Sequence, residues 1–296
     1  MQLRRKHKDW IWAYLFIAPT VLGLYIFFLY PMVSSVFISF TKWNHLSAPR
    51  YIGLSNYKQL FQDPTIWLEF KNTMFFVLVS VPLTVGISLF LASALNKKYL
   101  LGKGLFRTVF FLPFVILPAI IAQIFMIVFT SRCGLINGLL RIMNLPQPAW
   151  FSNALLTRFV IVLVTLWASI GYFTVILLAG LQNISPQYYE ACDIDGGSWW
   201  VKFQHITFPL VTPQLFFCLV LAIINSFKMF DYIFVFGKSN VIVRENIRTM
   251  AFGIYERGFT YLEMGYASAE AIIFSLIVLT VTILQNVGQK HWVHYS

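Results

Sequence analysis

Charge is scarce in this chain. Only 11% of its 296 residues are Asp, Glu, Lys or Arg, against about 25% in an ordinary soluble domain. With a mean hydropathy of +0.72, a water-soluble protein is excluded. Cysteine is nearly absent as well. Cys133, Cys192 and Cys218 are odd in number and widely spaced, so neither a disulfide framework nor a metal site is expected. His7, His45, His205, His291 and His294 form no metal-spaced set, and there is no phosphate-binding glycine loop. The chain is therefore expected to be no enzyme and to bind no cofactor of its own. Its net charge of +11 is not gathered into a basic cluster interleaved with aromatics. That argues against nucleic acid and for basic residues flanking membrane spans.

What the chain has instead is long runs with no charge at all. A helix crosses a bilayer with about 20 apolar residues. Such runs are Trp10–Thr41, Asn72–Asn96, Thr108–Ser131, Phe159–Tyr189, Phe203–Phe227 and Ala271–Gln289. They are continuous rather than alternating, so they read as helices and not as barrel strands. The predicted fold is an all-α membrane protein of six transmembrane helices, a single domain over 1–296. The spans are placed at about 11–40, 72–96, 108–130, 159–181, 209–230 and 267–287. Pro31 is expected to kink the first, and Pro113 and Pro118 to shape the third. Lys42–Lys71 reads as an external loop with a short amphipathic piece at Asn56–Phe61. Ser131–Arg158 and Asp231–Tyr266 read as further external segments, with a short interfacial helix at Ile136–Met143.

The basic start MQLRRKHK precedes a run too long for a signal peptide and without a small-residue cleavage pattern, so it reads as a retained first span. Arg4, Arg5, Lys6 and Lys8 mark the inner side, as do Lys97, Lys98, Lys103 and Arg107 in the loop after the second span. Six spans then leave both the N and C termini cytoplasmic.

Between the fourth and fifth runs lies a polar insert, region 185–206. Ser185-Pro186 reads as a helix N-cap with proline at N1. Gln187–Ile194 then forms a helix along the membrane surface, with Glu190 and Asp193 on one face. Asp195-Gly196-Gly197 is a stop signal, and Ser198 caps a second short helix bearing Trp199, Trp200 and Phe203. The acidic face suits a basic partner and the aromatics an apolar groove, while Ala191 and Gly197 allow close approach. A solvated linker is the plain alternative.

Polar groups inside spans tend to face a cavity. Thr165, Ser169 and Tyr172 make one stripe in the fourth span, with Trp167 beside it. Asn225 and Met229 make another in the fifth, and Gln123 stands in the third. These seven are the candidate substrate pathway, with helix–helix hydrogen bonding as the alternative. No Arg or Lys sits mid-span, and Lys228 lies at the outer end of the fifth, so a neutral solute is expected rather than a phosphorylated one such as glycerol phosphate.

Glu190-Ala191-Cys192, Gly196, Ile206 and Pro209 fall at the spacing E-A-A-x3-G-x9-I-x-L-P. This resembles the coupling motif of permease subunits of binding-protein-dependent ATP-binding cassette (ABC) importers. Cys192 stands where alanine is usual, Phe208 where leucine is, and Gly197 replaces a frequent alanine. Tyr30-Pro31, Ser39-Phe40-Thr41, Gly53-Leu54-Ser55-Asn56-Tyr57, Asn72-Thr73, Arg107–Pro113, Ala179-Gly180-Leu181, Phe230-Asp231 and Gly265-Tyr266-Ala267-Ser268-Ala269 are similar to the carbohydrate branch of that family. The segment GKSNVIVREN departs from its usual Gly-Gly-Pro.

The resemblance implies the type I ABC importer permease fold and a machine of several chains. A second permease subunit completes the pathway. Two ATPase subunits hold ATP and magnesium. An extracytoplasmic solute-binding protein delivers a sugar substrate. Glu190, Ala191, Cys192, Asp193, Asp195, Gly196, Gly197, Ile206 and Pro209 then inherit the coupling role. A secondary transporter would carry carboxylates inside its spans and often an inverted repeat. A membrane-embedded enzyme would need clustered acids, bases or metal ligands. The sequence offers none of these.

Overall fold

A computed structural model describes residues 2–97, 102–238 and 241–294. Lys98 and the Ser239-Asn240 pair, both named above, lie outside them. In chain order the helices are α1 (Gln2–Leu24), α2 (Tyr30–Ser39), α3 (Ser55–Gln62), α4 (Pro64–Leu95), α5 (Lys103–Val115), α6 (Pro118–Val128), α7 (Leu135–Ile142), α8 (Ala154–Gln182), α9 (Pro186–Ile194), α10 (Trp199–Lys202), α11 (Phe208–Phe227), α12 (Asp231–Gly237), α13 (Val241–Ile247), α14 (Met250–Tyr255) and α15 (Met264–Gly288). A two-residue antiparallel pair, Thr41–Lys42 with Arg50–Tyr51, is the strand content of the described residues. Five helical segments are long and apolar enough to cross a membrane, and six if α5 and α6 count as one broken span.

The chain divides into two compact units, one running up to Asp63 and including Ile254–Ser275, the other Pro64–Gly253 with the chain from Leu276 onward. In the first unit a π turn at Tyr25–Leu29 sits just before Pro31 and joins α1 to α2. The backbone absorbs the proline there by widening one turn rather than by ending the helix. After α2 the scattered resemblance residues converge. The Asn56 amide donates to the carbonyls of Ser39 (2.8 Å) and Thr41 (2.9 Å). Ser39 Oγ meets Tyr57 OH at 2.7 Å. A Cβ on Gly265 would strike the Thr41 carbonyl, so only glycine fits. Arg257 donates to Glu270 at 2.7 Å and lies 3.9 Å from Asp63, which accepts from Tyr266 OH.

In the second unit α4 packs along α8 and α11, and α5 along α8. Gly171 lets α8 approach so closely that a side chain there would meet the Phe110 carbonyl. Phe76, Ile121, Ile161, Ile233, Phe236, Ile247 and Phe252 belong to its buried core.

Three expectations change. The third span is not one helix: α5 stops at Val115, α6 starts at Pro118, and the two meet at 97°. Ile116 and Leu117 are extended, because a residue before proline is pushed out of the α region. Pro64–Lys71 is not loop but the first two turns of α4, while α15 begins at Met264, near the expected start at about 267, and takes in Glu270. Both helices therefore carry a fully buried glutamate, against the expectation of carboxylate-free spans. Each glutamate meets a buried arginine, which is what makes it tolerable: Arg248 for Glu69 at 3.0 Å, Arg257 for Glu270. Finally, the described part of the 231–266 segment holds helices α12, α13 and α14 and many buried residues, with α12 packed on α6 and α13 on α4 and α8. Asn72 and Arg158 pin it, donating to the carbonyl of Asn246 at 3.0 and 2.9 Å.

Candidate functional site: a cavity among the helices and an exposed surface helix

The insert forms as its local signals dictate. Pro186 occupies the first turn of α9, although the Ser185 side chain makes no cap bond. Gly196 takes φ +74, a left-handed position that glycine adopts without strain. The amides of Gly196 and Gly197 return to the carbonyls of Asp193 and Cys192. Ser198 Oγ accepts from the Val201 amide at 3.4 Å and starts α10. From there the backbone stays helical, through a π turn at Phe203–Thr207, into α11. The fifth span therefore begins ten residues before Pro209, and Pro209 and Pro213 lie within a helix already under way. The π turn lets a proline without an N–H follow without breaking the rod.

Glu190 and Ala191 are exposed on α9, as is Ile194 at 87%. Among the described residues none forms an ion pair with Glu190. Asp193 behaves differently: it pairs with Lys202, within the insert itself. Tyr189 OH meets Thr207 Oγ1 at 3.0 Å. Cys192 is half-buried, and its sulfur fills the space that a Cβ on Gly197 would need. Asp195 and Gly196 are exposed at the turn, and Ile206 and Pro209 are half-buried on the rod. Trp199 and Trp200 are 68% and 59% exposed, their rings gathered on Phe203.

Asn96 and Lys97, just after α4, line a crevice with Trp199, Phe203 and Thr207. The His294 amide donates to Thr212 Oγ1 at 2.9 Å. Asn96, Lys97 and His294 thus lie at the insert's end of the rod.

At the other end of α11 is a cavity of about 320 Å³ within the second unit, in the range of small-molecule sites. Four of the seven pathway candidates line it: Thr165, Ser169, Asn225 and Met229. The other three do not. Tyr172 stands behind Phe114, stacked on that wall residue at 4.3 Å. Trp167 is 44% exposed and packs on Phe125. Gln123 is exposed on α6. Sequence reasoning missed Ser80, Thr84, Ser226, Lys228, Asp231 and Tyr232 in the wall. Ser80 and Thr84 stand four apart on α4, the same spacing that flagged Thr165 and Ser169. Ser80 and Ser226 are only 5% and 7% exposed, and neither hydroxyl has a hydrogen-bond partner among the described residues. Among the described residues no group of three or more His, Cys, Asp or Glu could hold a metal ion.

A multi-pass helical protein with a largely apolar cavity dotted with hydroxyls and an amide, and an exposed helix next to the same rod, has the build of a membrane transport subunit. Residues 84–292 match the model of the binding-protein-dependent transport system inner membrane component, and the chain belongs to that family. It is 34% identical over 295 residues to the probable ABC transporter permease protein YesP of Bacillus subtilis (strain 168), covering 99% of this chain and 95% of that one. It is 32% identical to the arabinooligosaccharides transport system permease protein AraP of the same organism, covering 92% and 86%. A crystal structure of a bacterial alginate ABC transporter, in complex with an alginate pentasaccharide-bound periplasmic protein, contains a chain that matches with TM-score 0.88. That match covers 97% of this chain and 96% of the other at 22% identity, and it shows the fold.

Proposed function

We propose that this chain is the membrane subunit of an ATP-driven importer of oligosaccharides. With a second permease subunit it forms the pathway. Two ATPase subunits, which hold ATP and magnesium, dock on the face of α9 that carries Glu190, and an extracytoplasmic solute-binding protein delivers the sugar. Both termini and the insert are cytoplasmic in this reading. Hydrolysis takes place on the partner chains. Closure of the ATPases on ATP moves the coupling helices together and turns the pathway outward as a rigid-body, two-state switch.

One observation carries the carbohydrate reading: the cavity wall. It offers hydroxyls from Ser80, Thr84, Thr165, Ser169 and Ser226, the amide of Asn225, and the rings of Phe114, Phe173 and Tyr232. The two buried serine hydroxyls lack protein partners, and such groups are costly unless a solute or water bonds them. A sugar supplies hydroxyls for the polar groups and C–H faces for the rings. Relatives named for arabinooligosaccharides, starch degradation products and lactose support the same class. A phosphorylated solute would want converging cations, whereas Lys228 shares its wall with Asp231.

The test is uptake into vesicles by the complete transporter with its binding protein, offered arabinotriose, maltotriose, lactose and glycerol 3-phosphate. Uptake of an oligosaccharide is expected. Preference for glycerol 3-phosphate would overturn the assignment.

A further inference from the structure

We propose that Asp193 and Lys202 are positioning residues that brace α9 against the long rod beginning at α10, so that the two move as one lever. The inference rests on reading α9 as the ATPase dock. In sequence α9 is tied to the rod only through Asp195, Gly196, Gly197 and Ser198. A glycine pair is the least restrained link a chain can have. A push on α9 would be absorbed there unless something crosses the turn.

Two contacts cross it, and a third closes the turn on α9. The Asp193 carboxylate accepts from the Lys202 ammonium. Tyr189 OH meets Thr207 Oγ1 at 3.0 Å. The Gly197 amide donates to the Cys192 carbonyl at 2.8 Å, with the Cys192 sulfur filling the glycine's empty side. Beyond Lys202 no loop intervenes. The backbone is helical through the π turn to Phe227, roughly 35 Å at ~1.5 Å per residue. Asn225 and Ser226, at the far end of that rod, line the cavity.

The two acids of α9 therefore divide the work. Glu190 points outward and is left for a partner, while Asp193 is used inward to hold the angle between α9 and the rod. The bridge lies at the surface, with the Asp193 side chain 61% exposed. An ion pair so placed contributes little to overall stability, so removing it should leave the fold intact and change only the transmission.

The experiment is a charge swap in the complete transporter reconstituted in vesicles: Asp193→Lys, Lys202→Asp, and both together. Three quantities are read: ATPase subunits retained on purification, ATP hydrolysed, and uptake of whichever of arabinotriose, maltotriose and lactose is best transported. Each single variant is expected to keep its ATPases and hydrolyse ATP, but to carry roughly tenfold less sugar per ATP, and the double variant to return within about twofold of the unaltered protein. Singles that transport at the normal ratio overturn the brace, and so does a double that fails to recover. Release of the ATPases by Asp193→Lys overturns it too, because Asp193 would then be a docking contact. Glu190→Lys is the separate arm for the dock: if the ATPases stay bound and coupled in that variant, the docking reading fails whatever the swap shows.

Discussion

Glu190, Ala191 and Gly196, the residues proposed for coupling, occupy one short stretch of backbone. Ser80, Thr165 and Asn225 come from three different helices and meet only around the cavity. The exposed helix is local: a proline start, a left-handed glycine stop and a capped restart create its shape, and its functional face is what remains pointing outward. The cavity is global. Its wall exists because α4, α8 and α11 pack together and because α5 breaks from α6 at 97°. The difference teaches where each half of the account is vulnerable. The insert should fail through single side chains at its surface, and the cavity through the supports that hold its helices in place.

The largest effect is expected at such a support. Arg248 is 4% exposed and donates to the fully buried Glu69 at 3.0 Å, tying the helical segment that includes α12 to α4. Arg248→Met removes this ion pair from a buried carboxylate and should cost about 3–5 kcal/mol. Thermal unfolding of the purified complex measures it, and a midpoint unchanged from the parent would break the account of the cavity's support.

Next comes a compensation within the insert. Gly197→Ala drives a methyl into the Cys192 sulfur and should cost about 1–3 kcal/mol locally. Adding Cys192→Ala should relieve it, since alanine at both positions removes the crowding atom. Protease resistance of the insert reads both variants. If the double variant is as labile as Gly197→Ala alone, the two departures from the usual motif are unrelated.

A smaller effect is expected in the cavity wall. Asn225→Ala should raise the half-saturating concentration of transported sugar about tenfold, equivalent to ~1.4 kcal/mol, with the ATPase subunits still bound. Smallest of all, Gln123→Ala and Trp167→Phe should leave uptake within about twofold, the scale of an exposed substitution away from a site. A large loss at either would mean that the pathway extends beyond this cavity.

Charge-free runs were enough to find the membrane helices, because a helix in lipid cannot leave charges unpaired. The same criterion hid Glu69 by cutting α4 at Asn72, and it passed over Glu270 inside the span placed at about 267–287. It had no means of seeing that Arg248 and Arg257 would neutralise the two acids inside the fold. Glu69 and its arginine stand 179 residues apart in sequence. The insert was legible since each of its signals acts over a few residues, yet Asp193 could not be told from Glu190. Only the folded turn brings Lys202 to one and not the other. The cavity was half legible. Polar spacing picked out Thr165, Ser169, Asn225 and Met229 but equally picked Tyr172, Trp167 and Gln123. Which side of a helix faces a cavity is decided by its neighbours. Ser80 and Thr84 carried the same spacing signal and were passed over.

The central claim is that α9 docks the ATPase through the face of Glu190. Purifying the Glu190→Lys variant with its partner subunits tests this most directly. The account predicts that the ATPases are lost from the complex and that ATP-driven uptake falls with them, while the variant permease remains folded. A Glu190→Lys complex that keeps both its ATPases and its uptake would contradict it.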